Sequence, residues 1–188
     1  MRRPDETAIR EFLAAQASQP FSYPDVGASR HRAPHGYTVD HNRIQLGRGR
    51  ADFAQAVAHL RAWKMFDLGW LQLCWPTTSP QKDATVAVLV SHFGFWSLHP
   101  CRVVYVLEER APVEKFGFAY GTLPAHAERG EERFTVEFRP RDESVWYEIY
   151  AFSRPGPLAS AAYPLARLLQ KKFAADSQQA MLRAMRRF

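Results

Sequence analysis

The sequence predicts an α+β domain in which a curved antiparallel sheet of about seven strands wraps around a long C-terminal helix. Two observations carry this. From residue 68 to residue 153, apolar side chains recur with a period of two in six successive runs, separated by short polar segments such as PTTSPQKD and RPRDES. From Pro157 to Phe188 the period becomes that of a helix. Consecutive strands joined by short turns pair antiparallel, and the resulting sheet has an apolar face that one long helix can cover.

The elements follow in chain order. Residues 5 to 17 place Ile9, Phe12 and Leu13 at i, i+3 and i+4 behind acidic residues that suit a helix N-terminus, so a short amphipathic helix is expected. Residues 19 to 34 are rich in Pro, Gly, Ser and Asp; with Phe21, Tyr23 and Val26 to bury, they read as an ordered connector. A strand is expected at 37 to 46, then a helix at 51 to 64 with Phe53, Ala56, Val57, Leu60 and Trp63 on its apolar stripe. Further strands are expected at about 68–75, 84–93, 100–109, 114–122, 131–139 and 144–153. In the last segment Leu158, Ala161, Leu165, Leu168, Leu169, Phe173, Ala180, Met181, Ala184 and Met185 form the apolar side. Pro164, which has no amide to donate, marks the start of the regular helix.

With 188 residues, 46% of them hydrophobic and 23% charged, the chain can bury a core as one domain, 1–188, whose first 35 or so residues form a helical extension. No apolar run reaches the roughly 18 residues of a membrane helix. Asp5 and Glu6 occupy the place of a secretion signal's apolar core, so a cytoplasmic protein is expected. Cys74 and Cys101 lie in apolar strand runs, outside any C-x-x-C pair, and are expected to be free, buried thiols. Much of the formal net charge of +6 comes from Arg167, Lys171, Lys172, Arg183, Arg186 and Arg187, spaced as the outer face of the last helix. Such a face allows peripheral contact with anionic surfaces. The aromatic residues are not interleaved with Lys or Arg, which argues against nucleic acid as a partner.

The element order resembles the helix-grip fold of lipid-transfer START domains and the birch pollen allergen superfamily. The resemblance implies that sheet and helix do not close completely, leaving an elongated apolar cavity for small molecules between them. The boxes WKMFDLGWLQL, HPCRVVYVLEE, FGFAYGTLPAHAERGEERF and AFSRP, with the stretch from Gln170 to Phe173, are similar to an uncharacterised family of domains of unknown function, over nearly the whole chain. That resemblance implies domain boundaries and no catalytic residue.

The candidate site lies in the third box. Strand alternation places Phe116, Phe118, Tyr120 and Thr122 on one face and Lys115, which marks the outside, on the other. On the next strand Phe134, Val136 and Phe138 must point inward together with Glu132, leaving Glu131, Arg133 and Glu137 outside. The paired glutamates therefore cannot act as a carboxylate dyad. With Leu123 to Gly130 as the loop, Thr122 is expected across from Glu132 and Tyr120 across from Phe134, with His126 above them. Phe118, Phe134 and Trp146 are expected in the cavity wall, and Arg154 or His126 as the partner of Glu132.

Two readings of these residues follow. Thr122, Glu132 and His126 can serve the turn itself, with Tyr120 a core aromatic. Alternatively Glu132, held in an apolar cavity with a raised pKa, is an acid, a base or the anchor of a ligand, with His126 and Tyr120 as further proton carriers. The histidines at 31, 35 and 41, and the set His92, His99 and Cys101, lack the regular spacing of a zinc site. Ser91, Ser97 and Ser153 lie in no nucleophile elbow, and there is no P-loop or dinucleotide fingerprint, so neither metal nor cofactor is expected. The expected role is binding or carrying a small, largely apolar ligand. The alternatives are an enzyme of the same fold using general acid-base chemistry, of the cyclase, dehydratase or hydrolase type, and an interaction protein docking through its basic C-terminal helix.

Overall fold

In a computed structural model that describes residues 3–75, 79–92, 94–156 and 163–186, the chain runs as α1 (Glu6–Ala17), β1 (Thr38–Arg48), α2 (Gly49–Arg61), β2 (Leu71–Cys74), β3 (Thr85–His92), β4 (Phe95–Glu109), β5 (Glu114–Thr122), β6 (Glu128–Arg139), β7 (Ser144–Pro155) and α3 (Tyr163–Met185). The strands form one curved antiparallel sheet in the order β1-β7-β6-β5-β4-β3-β2. β1 and β2 are thus the two edges, and α2 with the helical turn Lys64–Phe66 carries the chain from one to the other. β4 is longer than its sequence suggests. Pro100 reads as a strand start because it cannot donate to a ladder, yet it lies within β4 opposite Ala87.

The two faces of the sheet are covered differently. On the concave face, Phe116, Phe118, Phe134, Val136 and Tyr147 pack with Leu60, Trp63 and Met65 into the main core. On the convex face, α1 lays Ile9 and Leu13 over Cys74, Ala87 and Leu89. Its N-terminus is capped by Asp5, whose Oδ1 accepts the Ala8 amide at 2.8 Å. β3 is therefore buried on both sides, Val86, Val88 and Val90 facing the core and Ala87 and Leu89 facing α1. Cys74 and Cys101 are free and buried.

The connector after α1 forms a strap across the convex face. Glu131, outward as expected, is buried beneath it. Its carboxylate accepts from the Tyr23 hydroxyl at 2.7 Å, from the Gly27 amide at 2.7 Å and from the Ser29 amide at 3.1 Å, and the Ser29 hydroxyl donates to it as well. Arg133 donates to the Ser29 carbonyl at 2.7 Å. Tyr23 fits because residue 121 is glycine: a Cβ there would lie 2.1 Å from the tyrosine oxygen. Val26, expected to be buried, is 45% exposed on the strap's outer side.

α3 has two halves. Toward its C-terminus Ala174, Ser177, Ala180 and Met181 are buried, the Ser177 and Tyr147 hydroxyls share a hydrogen bond of 2.9 Å, and the Trp70 indole donates to Asp176 at 2.8 Å. Nearer its N-terminus Leu165 is 40% and Leu168 65% exposed. This corrects the expectation that both are buried. Here α3 faces a cavity rather than a filled core, and Leu168 lies off the stripe formed by Leu165, Leu169 and Phe173. Leu158 and Ala161 lie outside the described residues.

Candidate functional site

Where the sheet and the N-terminal half of α3 diverge, they enclose a cavity of about 670 Å³. Its apolar lining includes Phe66, Val88, Val90, Ile149, Leu169 and Phe173; its polar end includes Asp40, Tyr120, His126, Glu128, Glu132 and Gln170. The polar end is assembled by strand register. Tyr120 stands directly across from Glu132, and Phe118 across from Phe134. This is two residues away from the expected pairing, because β6 begins at Glu128 and the loop is only residues 123–127. An even shift preserves the face on which each side chain lies.

The Tyr120 hydroxyl donates to Glu132 Oε2 at 2.7 Å, the carboxylate's single hydrogen bond among the described residues. Burial drives the Glu132 carboxyl up to about 7; the Tyr120 hydrogen bond opposes the rise, and the charges of Glu128 and Asp40 add to it. Burial and the Glu132 charge together push the Tyr120 phenol well above its ordinary value.

Arg154, expected as a partner, does not reach the cavity. It lies on the convex face with its guanidinium 4.7 Å from the centre of the Tyr37 ring. Trp146 is likewise convex, stacked against Arg43 at 4.4 Å. Val145, Tyr147 and Ile149 alternate inward on β7, so Trp146 and Arg154 must turn outward. Phe118 and Phe134 are fully buried beneath the cavity, with the Phe118 ring 4.7 Å from that of Trp63 and the Phe134 ring 5.8 Å from that of Phe66.

Thr122 and His126 border the cavity but are held by the turn. The Thr122 hydroxyl accepts the Gly130 amide at 3.0 Å and shares a 2.6 Å hydrogen bond with Ser22. His126 Nδ1 accepts the Glu128 amide at 2.9 Å, and its ring lies 4.9 Å from that of His99. Burial, and secondarily the neighbouring His99, hold the His126 pKa well below its ordinary value, so it is a neutral imidazole at pH 7.

Five further polar residues, Asp40, Glu128, Ser153, Arg167 and Gln170, were not singled out as site residues by the sequence reading. Arg167 donates to Asp40 at 2.7 Å, Gln170 donates to Ser153 at 2.9 Å, and the Gln170 amide also donates to Glu128. Burial raises the Glu128 carboxyl, with Gln170, Arg167 and Ser153 opposing. The available signal was the period-two row Glu128, Gly130, Glu132 that continues β6 back through the assigned loop. Among the described residues no group of three or more His, Cys, Asp or Glu side chains could hold a metal ion, and no helix is long and apolar enough to cross a membrane.

A long C-terminal helix held against a curved seven-stranded antiparallel sheet defines the helix-grip class. Within it, residues 22–180 match the model of a domain of unknown function, DUF1990, and the chain belongs to that family. It is similar to a UPF0548 protein of Dictyostelium discoideum, 34% identical over 202 residues that cover 97% of this chain and 94% of that one. It is also similar to a UPF0548 protein of Deinococcus radiodurans, 34% identical over 196 residues that cover 98% and 97% of the two chains. Among solved structures, a START superfamily protein from Mycobacterium smegmatis aligns with a TM-score of 0.44 and 14% identity, over 80% of this chain and 94% of that one.

Proposed function

We propose that the protein binds a small, largely apolar molecule in the cavity between the sheet and α3, with the Tyr120–Glu132 pair at its polar end. The observation that carries this reading is the composition of the space. Aliphatic and aromatic walls enclose a volume of about 670 Å³, within the range of small-molecule sites, and the hydrogen-bonded pairs Tyr120–Glu132 and Gln170–Glu128 are among the polar groups that line it. Glu132 is placed to orient a ligand because one hydrogen bond from Tyr120 leaves part of its accepting capacity open. Mass spectrometry of small molecules retained by natively purified protein tests the reading. Wild type should carry a bound molecule that Glu132→Gln loses while keeping its circular dichroism; protein that is empty after every gentle purification, and that binds no apolar probe, would sink it.

A second reading, general acid-base catalysis at the same site, is favoured by one observation. A carboxyl with a pKa of about 7 exchanges protons readily near neutral pH. Turnover lost in both Glu132→Gln and Tyr120→Phe, with ligand affinity kept, would select it. Docking through the basic helix gains less support, because Arg167 is committed to Asp40, Lys172 to Asp176 and Arg183 to the Asp67 carbonyl.

A further inference from the structure

The charge of the cavity's polar end constrains the head group of what it binds. Asp40, Glu128 and Glu132 converge there. Asp40 is paired with Arg167 from α3. Glu128 and Glu132 receive hydrogen bonds from neutral donors, Gln170 and Tyr120 respectively. The remaining titratable groups around Glu132 are Tyr120 on β5, Cys101 and His99 on β4, His126 on the loop and Tyr147 on β7, with Lys171 on the exposed side of α3. The lining therefore carries four carboxyl groups: Asp40 is paired with Arg167, whose charge also acts on Glu128, Glu131 is held by the strap, and Glu132 has no ion pair among the described residues, with Lys171 the ammonium at the exposed edge. A buried carboxylate without a cation is costly, and a ligand that supplies the positive charge recovers that cost.

Resting on the cavity reading above, we infer that the natural ligand is an amphipathic cation: an apolar body with a protonated amine that lodges between Glu128 and Glu132. An anionic amphiphile such as a fatty acid would bring a further negative charge to the same end and is disfavoured. A neutral molecule gains the apolar contacts alone.

The test is calorimetric titration of the full chain at low salt with n-octylamine, n-octanol and n-octanoate, which share one tail and differ in head-group charge. At pH 8 the amine should bind about ten-fold or more tighter than the carboxylate. Between pH 8 and pH 6 amine affinity should fall about ten-fold, because the ionised fraction of a carboxyl titrating near 7 drops from about nine-tenths to about one-tenth. Octanol should show no such fall. Glu132→Gln should abolish the amine's pH dependence and weaken the amine at pH 8 far more than it weakens octanol; Glu128→Gln, which leaves the Tyr120 contact intact, should weaken the amine several-fold. Octanoate binding as tightly as octylamine at pH 8, or amine affinity indifferent to both substitutions, overturns the inference and leaves the cavity reading standing. If octanol and octylamine both fail to bind, the cavity reading falls with it.

Discussion

Glu131 and Glu132, adjacent in sequence, take different partners on opposite faces of the sheet. Glu131 fastens the N-terminal strap to the convex side through Tyr23, Gly27 and Ser29, whereas Glu132 faces the cavity on the concave side and, among the described residues, takes its one hydrogen bond from the Tyr120 hydroxyl. Strand alternation gives one a structural duty and turns the other toward the cavity. The two can be probed independently.

For Glu132 the sign of the pH dependence is fixed by its raised pKa. Between its ordinary value of 4.5 and its folded value of about 7, the folded state holds a proton that the unfolded state has released, so this group's contribution to stability declines as pH rises and levels off above about 7. Glu132→Gln removes that decline. Urea unfolding should show the variant gaining on wild type between pH 5 and pH 8, by up to about 3 kcal/mol. Parallel stability profiles would show that the carboxyl titrates normally.

Tyr120→Phe takes away the one donor that holds the Glu132 carboxyl down. The titration midpoint followed by carboxyl carbon NMR should move above 7. Stability at pH 8 should fall by about 1–2 kcal/mol, with a smaller loss at pH 5, where the acid is protonated. An unmoved midpoint would break the assignment of this hydrogen bond.

The strap makes a separate prediction. Glu131→Ala removes an acceptor shared by two hydroxyls and two amides and should cost about 2–4 kcal/mol. Gly121→Ala should act on the same segment by pushing the Tyr23 oxygen away from a new Cβ. In both variants hydrogen exchange should quicken at residues 22–30 before it does in β6. Unchanged protection of the strap would count against Glu131 as its fastening.

Cys101 offers a check on the core. Its burial pushes the thiol pKa up, and Cys74 is shifted in the same direction for the same reason. Neither should react with a thiol reagent at pH 8 in the native protein, and both should react after denaturation. Rapid native labelling of Cys101 would mean that the sheet opens at β4.

Much of this was legible in the sequence because a period of two needs no knowledge of partners. Phe134, Val136 and Phe138 fix the inward face of β6, and Glu132 follows. The same rule applied to β7 would have turned Trp146 and Arg154 outward, since Val145, Tyr147 and Ile149 face in. The pairing register was less legible: Glu128, Arg129 and Gly130 look like loop residues, yet they extend the ladder opposite Pro155, Arg154 and Ser153. Burial of Glu131 could not be read, because its cover is an aperiodic segment about a hundred residues earlier in the chain. The pairing of Asp40 with Arg167 joins the first strand to the last helix and was hidden for the same reason.

The division of α3 has a consequence for how the family can change. Its C-terminal half is locked by Ser177, Ala180 and Met181, and its N-terminal half borders the cavity with Leu165 and Leu169. Residues over a void have few packing partners to disappoint, so their size can drift without threatening the fold. The scaffold and the shape of the space beneath it thereby depend on different residues of one helix, and that space can be reshaped while the skeleton stays the same.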